Sequence, residues 1–250
     1  MRLALMSDIH SNLQALDACM EHARSKGAGQ FAFLGDMVGY GAHPSEVVER
    51  IRAACAEGAI ALRGNHDEMA LTPPTETKTL GASTAGWTCQ QLASEQKDWI
   101  RSLPLTHQLD KILLVHASAN DPERWRYVND ERSATASLDA AVTLPGVRYV
   151  MGGHVHEQQL YYRGSNAGLM KFSPQAGVAV PVPSHRQWLC TVGSVGQPRD
   201  GKPEAMYALM DTERWQLTFH RVAYDNDAAA NAIRRAGLPE FFAQRLENGR

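Results

Sequence analysis

Five short apolar runs in this chain each stop at a side chain able to ligate a metal, and few folds accommodate that pattern. LALMSDIH closes on Asp8 and His10, FAFLGD on Asp36, and IALRGNHD on Asn65, His66 and Asp67. ILLVH closes on His116, and YVMGGHVH on His154 and His156. Runs of this length read as buried strands. In open α/β sheets, ligands gather outside the carboxyl ends of the strands. Five strand ends that deliver Asp, Asn or His therefore predict one shared crevice. The neighbouring Gly35, Gly64, Gly152 and Gly153 suit tight turns that bring backbone close to an ion or a phosphate.

The segments between these runs set the fold class. Strands are expected at Leu3–Met6, Phe31–Leu34 and Ala59–Leu62, with a helix capped by Ser11 after the first and another over Ser45–Ala56 after the second. Thr77–Leu103 reads as mostly helical, with Trp87, Leu92, Trp99 and Ile100 facing inward. Later strands are expected at Ile112–Val115, Tyr149–Met151, Leu160–Tyr162, Leu189–Val192, Met206–Met210 and Leu217–Val222. A helical tail follows over Asp227–Leu246, and the Pro-rich Ser173–Ser184 reads as a surface loop. A βαβ-like first half and a strand-rich second half predict an α/β sandwich in one domain over residues 1–250.

Composition narrows the function classes. With 250 residues and 44% hydrophobic content, a substantial core needs no staples. A net charge of −2 supplies no basic field for an extended nucleic acid or an anionic membrane. Cys19, Cys55, Cys89 and Cys190 are far apart, form no C-x-x-C pair and read as reduced thiols. The N-terminal apolar run is broken at Asp8, so the chain reads as cytoplasmic, with neither a signal-peptide core nor a membrane span.

Spacing and residue type point to metal chemistry. In Asp8-x-His10 both side chains leave one strand face or its end and can reach one cation. His154-x-His156 does the same, or aims its imidazoles at neighbouring ions. One carboxylate oxygen of Asp36 could bridge two cations, and Asn65 adds a neutral oxygen that spares negative charge for an anionic substrate. Mixed oxygen and imidazole donors without thiolate favour Mn or Fe, with Zn, Ni and Co as further candidates, as divalent or mixed-valence ions.

The ordered series D-x-H, G-D, G-N-H-D, H and G-H-x-H, spanning Asp8 to His156, resembles that of the calcineurin-like metallophosphoesterase superfamily. The resemblance implies a four-layered α/β/β/α sandwich. It implies that Asp8, His10 and His156 hold one metal, that Asn65, His116 and His154 hold the other, and that Asp36 bridges them. His66 would sit beside the substrate phosphate without binding metal. The string Gly35-Asp36-Met37-Val38-Gly39-Tyr40-Gly41 lacks the Asp-Arg pair of the protein-phosphatase branch. Together with Gly193-Ser194-Val195-Gly196-Gln197-Pro198-Arg199, it is more similar to small prokaryotic phosphodiesterases and diadenosine tetraphosphatase relatives.

The expected activity is hydrolysis of a small phosphate ester, a diester by preference, by a hydroxide shared between two ions while His66 protonates the leaving oxygen. A phosphomonoesterase or diadenosine tetraphosphatase-like hydrolase is the alternative, ahead of a catalytically dead scaffold or a nuclease. Asp67 or another carboxylate is a candidate to orient His66, and the sequence does not show which. Arg199 is a candidate phosphate clamp or else a solvated loop residue. Trp125, Arg126 and Tyr127 either line the pocket or pack. His43 reads as a loop residue, while His22, His107, His185 and His220 match no motif. Loops 72–84, 117–132 and 173–187 are expected to set specificity.

Overall fold

The computed structural model describes residues 1–76, 79–164 and 168–250. Its strands are β1 (Arg2–Met6), β2 (Gln30–Phe33), β3 (Ile60–Ala61), β4 (Thr106–Leu109), β5 (Ile112–Val115) and β6 (Tyr149–Gly152). They continue as β7 (Gln158–Arg163), β8 (Leu169–Phe172), β9 (Ala179–Pro181), β10 (Gln187–Val192), β11 (Ala205–Asp211) and β12 (Gln216–Val222). The α-helices are α1 (Leu13–Ser25), α2 (Pro44–Ala56), α3 (Asn65–Leu71), α4 (Leu80–Ser83) and α5 (Ala85–Gln91). They end with α6 (Ser94–Ser102), α7 (Glu131–Ala141), α8 (Asn226–Arg235) and α9 (Glu240–Asn248).

Two six-stranded mixed sheets result, in the orders β3-β2-β1-β11-β12-β9 and β4-β5-β6-β10-β7-β8. Strand alternation explains why they stack. Leu3 and Leu5 of β1 face the second sheet and meet Ile112 and Leu114 of β5 and Tyr149 and Met151 of β6 in one buried layer. The intervening Ala4 and Met6 point outward to Leu16 and Met20 of α1 and Val47, Val48 and Ile51 of α2. On the far side, Leu113, Val115 and Val150 pack on Ala134 and Leu138 of α7. The layer order is therefore α/β/β/α, as the motif series implied. Among the described residues no helix is long and apolar enough to cross a membrane.

The departures have local causes. Asn12, not Ser11, caps α1: its Oδ1 accepts from Ala15 N at 3.1 Å. The helical stretch is three short helices within 80–102, and the expected start at Thr77, with Lys78, lies outside the described residues. The tail breaks into α8 and α9 around Gly237 and Pro239, where a positive φ and a missing N–H interrupt the ladder. Within the Pro-rich loop, Ala179–Pro181 pairs at the sheet edge next to β12, one of the few places where a sheet tolerates proline.

Candidate metal centre

Parallel pairing of β1 with β2, β2 with β3, and β5 with β6 puts their carboxyl ends on one rim. Asp8 and His10 follow β1, Asp36 follows β2, Asn65 and His66 open α3 after β3, His116 follows β5, and His154 and His156 follow β6. The chain must turn sharply there to aim these groups inward. Asp8, His10, Asp36, His154 and His156 all have left-handed backbone, with φ of 54°, 48°, 52°, 66° and 63°. Such backbone costs on the order of 1 kcal/mol per residue and clusters at functional sites. Two glycines make the approach feasible. A Cβ on Gly35 (φ +98°) would meet Gly64 N at 2.8 Å and His116 Nδ1 at 2.9 Å, and one on Gly64 would overlap Asp36.

All seven side chains converge. Asp8 Oδ1 lies 3.2 Å from His156 Nε2 and 3.8 Å from His10 Nε2. Asp36 Oδ2 lies between the two halves, 3.9 Å from His10 Nε2 and 3.4 Å from His116 Nε2. His116 Nε2 is 3.1 Å from Asn65 Oδ1, and His154 completes a cluster with Asp36 and His116. Asp8, His10 and His156 could thus hold one cation, and Asp36, Asn65, His116 and His154 a second.

The hydrogen bonds test that fit. His10 Nδ1 faces Val38 O at 3.2 Å, His116 Nδ1 faces Leu34 O at 2.8 Å, and His156 Nδ1 faces Gln197 O at 2.6 Å. A carbonyl only accepts, so each Nδ1 carries a proton, and each ring in its neutral form turns an Nε2 lone pair inward. His10 Nε2 and His156 Nε2 then face each other at 3.1 Å, lone pair to lone pair. Asp8 Oδ1 and His154 Nε2 are buried without a hydrogen-bond partner. Acceptors crowded together without donors are what a cation relieves, so the donor set fits divalent metal.

The charges agree. Burial raises the Asp8 carboxyl, but His156 outweighs it and holds the group well below the usual carboxylate range. Burial pulls the His116 imidazole down, and Asp36 reverses this to push it up to about 9. Burial lowers the His154 imidazole to about 4.

His66 heads α3, its backbone N–H donating to Asp36 Oδ1 at 2.7 Å. Its ring stands edge-on to His10, with centroids 4.9 Å apart. Asp67, a candidate from the sequence to orient it, does not do so. Its oxygens accept from Val38 N at 3.2 Å and Gly64 N at 2.8 Å, tying the Asp36 loop to the head of α3. Burial and nearby Asp36 push this carboxyl up, against the pull of those two amides.

Around the rim, Tyr127 is 55% exposed and stacks on His154 with centroids 4.1 Å apart, and Trp125 meets the edge of His116 at 5.8 Å. Arg126 is exposed and paired with Asp121. His43 lies before α2 beside Gln14 and Glu46 and, among the described residues, joins none of the candidate ligand clusters. Sequence reasoning passed over Tyr40 as a site residue, although Gly39-Tyr40-Gly41 had already stood out. Its ring lies 4.6 Å from His10 and 4.4 Å from His66.

A model of the calcineurin-like phosphoesterase superfamily domain matches residues 1–214, and so takes in every one of the converging residues. The chain belongs to the calcineurin-like phosphoesterase superfamily. Among its relatives is the uncharacterized protein MJ0912 of Methanocaldococcus jannaschii, 32% identical over 99% of this chain and 98% of that one. A metallophosphoesterase structure from Sphaerobacter thermophilus is similar over 100% of this chain and 99% of that one, with 32% identity and a TM-score of 0.87. The hypothetical protein PH1004 of Pyrococcus horikoshii shares the fold at 20% identity, with a TM-score of 0.77 over 100% of this chain and 98% of its own. As a calcineurin-like phosphoesterase, the chain carries the general chemistry of phosphoester hydrolysis with a metal-binding site.

Proposed function

We propose that the chain is a dinuclear metal-dependent phosphodiesterase acting on small phosphate esters. The carrying observation is the ring of inward lone pairs around Asp36 Oδ2, which faces His10 Nε2 on one side and His116 Nε2 on the other. Asp8, His10 and His156 would hold one ion, Asn65, His116 and His154 would hold the other, and Asp36 would serve both. When bound, such an ion pair supplies Lewis-acid charge for the phosphate oxygens and lowers the pKa of water into the neutral range.

The protein's own groups do the rest. The bound phosphate is attacked in line: one bond forms from water oxygen to phosphorus, the displaced water proton passes to solvent, and the opposite ester P–O bond breaks. His66 gives its proton to the departing oxygen. Burial lowers this imidazole and Asp36 pulls it back, and an arriving phosphate anion acts in the same direction as Asp36. Asp67 keeps the Asp36 loop and the head of α3 in register.

Mn or Fe is the proposed native metal, chosen on donor type. The test is elemental analysis with a panel assay in Mn²⁺, using bis(p-nitrophenyl) phosphate, p-nitrophenyl phosphate and cyclic nucleotides. Two ions per chain and diester turnover are expected. A monoester-only profile would overturn the diesterase preference, and a protein that binds no metal would overturn the whole reading.

A further inference from the structure

Two guanidinium groups meet on the Tyr40 side of the centre without an Asp or Glu side chain between them. Arg199 Nη2 and Arg245 Nη1 both donate to one neutral acceptor, Gln197 Oε1, each at 3.0 Å. Among the described residues, no Asp or Glu side chain forms an ion pair with either arginine. Arg199 Nε is buried with no hydrogen-bond partner at all. Arg245 Nε is satisfied by Arg250 O at 2.9 Å. Like charges brought together in a part-buried setting, with an orphaned donor, are destabilising unless an anion joins them.

Their position relative to the reaction is defined. Gln197 is the residue whose carbonyl accepts from His156, and its N–H reaches Ser194 Oγ, which in turn donates to Asp8 O. The arginine pair is therefore fastened to the metal-binding loops rather than loose on the surface. Arg199 Cζ lies 6.0 Å from the centroid of the Tyr40 ring, and the His66 ring lies 4.4 Å from the same centroid. A Cβ on Gly81 would be 3.4 Å from Tyr40 Oη and 3.6 Å from His66 Nε2, so the hydroxyl and the proton-donating edge of His66 border the same spot. Arg245 arrives on α9, beyond the span matched by the family model, and is seated by Phe242 against Tyr40 at 4.9 Å.

We propose that Arg199 and Arg245 form an anion subsite for a second phosphate carried by the leaving group of the substrate. This rests on the proposed hydrolysis at the metal centre and deepens it. The preferred substrate class becomes a phosphoric ester or anhydride whose departing half itself bears a phosphate. In-line attack breaks the P–O bond to that half, and the two guanidiniums hold the charge that leaves with it. Bidentate guanidinium contacts suit phosphate geometry, and charge-assisted hydrogen bonds are the stronger kind.

The test compares the metal-loaded protein on diadenosine diphosphate, whose leaving group is AMP, and on bis(p-nitrophenyl) phosphate, whose leaving group is a phenolate. In Arg199→Gln and Arg245→Gln the ratio of kcat/KM values is expected to fall about 10-fold or more toward the phenolate ester, mainly through KM. Arg245→Lys should restore part of it. Independently, calorimetric titration of AMP into metal-stripped protein should lose affinity in both Gln variants, while adenosine binds none of them. Inorganic phosphate binding as tightly as AMP in wild type would assign the pair to a free phosphate ion and overturn the leaving-group role. Folded variants that keep both the ratio and the AMP affinity also overturn it. If wild type turns over neither ester yet its AMP affinity depends on the arginines, the subsite stands and the proposed hydrolysis falls.

Discussion

Two groups of histidines cluster in this molecule, one buried and one part-buried, and they do opposite things with their nitrogens. At the strand ends, His10, His116, His154 and His156 are interleaved with Asp8, Asp36 and Asn65, and their lone pairs converge. Between α1 and the first sheet, His22, Tyr207 and His220 form an aromatic cluster with no acid in it. His22 Nδ1 is 2.8 Å from Tyr207 Oη, and His220 stacks on Tyr207 at 4.8 Å and meets His22 edge-on at 5.1 Å. Each group has a buried Nε2 without a partner, His154 in the first and His220 in the second. An orphaned nitrogen is therefore not what marks a metal site. The carboxylates are: Asp8 and Asp36 stand among the strand-end histidines, whereas the charged neighbours of His220 are His22 and Lys26.

The largest effect expected from this contrast is at Asp36. Asp36→Asn keeps size and shape but removes the charge shared by both halves. Metal content should drop from two ions to at most one, and turnover should fall on the order of 10³-fold or more. Elemental analysis and the diester assay read the two outcomes. The paired control is a His22→Gln, His220→Phe double variant, which should retain two ions. Loss of metal in the control would erase the distinction between the clusters.

Next in size is His66, a member of the strand-end group that is assigned protons rather than metal. His66→Gln should lower kcat by ~10²–10⁴-fold with metal content kept at two ions. The discriminating readout is leaving-group dependence. A phosphate ester with a very acidic phenol departs without help, so the loss should shrink markedly on it. An equal loss on good and poor leaving groups would remove the proton-donor role.

The two clusters also differ in how well the amino-acid string announces them. The strand-end group was legible because each donor follows an apolar run and parallel strands share a rim. Residue type, order and topology all point one way there. The layer order was legible for the same reason, since the alternation of Leu3, Ala4, Leu5 and Met6 puts two faces on one strand. The part of Asp67 stayed open in the sequence because adjacency to His66 says nothing about direction: at the head of a helix, its oxygens turn back to the Gly64 and Val38 amides. Arg245 and Tyr40 were missed as partners because 205 positions of chain, and the packing of α9, lie between them. His22 and His220 carry no motif, as their meeting depends on α1 lying across β12. Contacts created by helix docking leave no local spacing to read.

The smallest effect is expected from the acid-free cluster, in stability rather than turnover. His220 is 9% exposed, and burial, then His22 and Lys26, hold its imidazole at about 4, below the ordinary histidine value. In the unfolded chain the same ring takes a proton as pH falls through about 6.5. Across that window the unfolded state binds more protons than the folded one, so stability declines as pH drops toward 4 and is full above about 6.5. The contribution at stake is roughly 2–3 kcal/mol. His220→Phe keeps an aromatic ring on Tyr207 and cannot titrate. Its melting temperature should therefore fall less than that of wild type between pH 7 and pH 4.5, in metal-stripped protein under matched salt. Parallel curves for the two proteins would mean that His220 is not the group taking up the proton, and the acid sensitivity would have to be sought among the strand-end histidines instead.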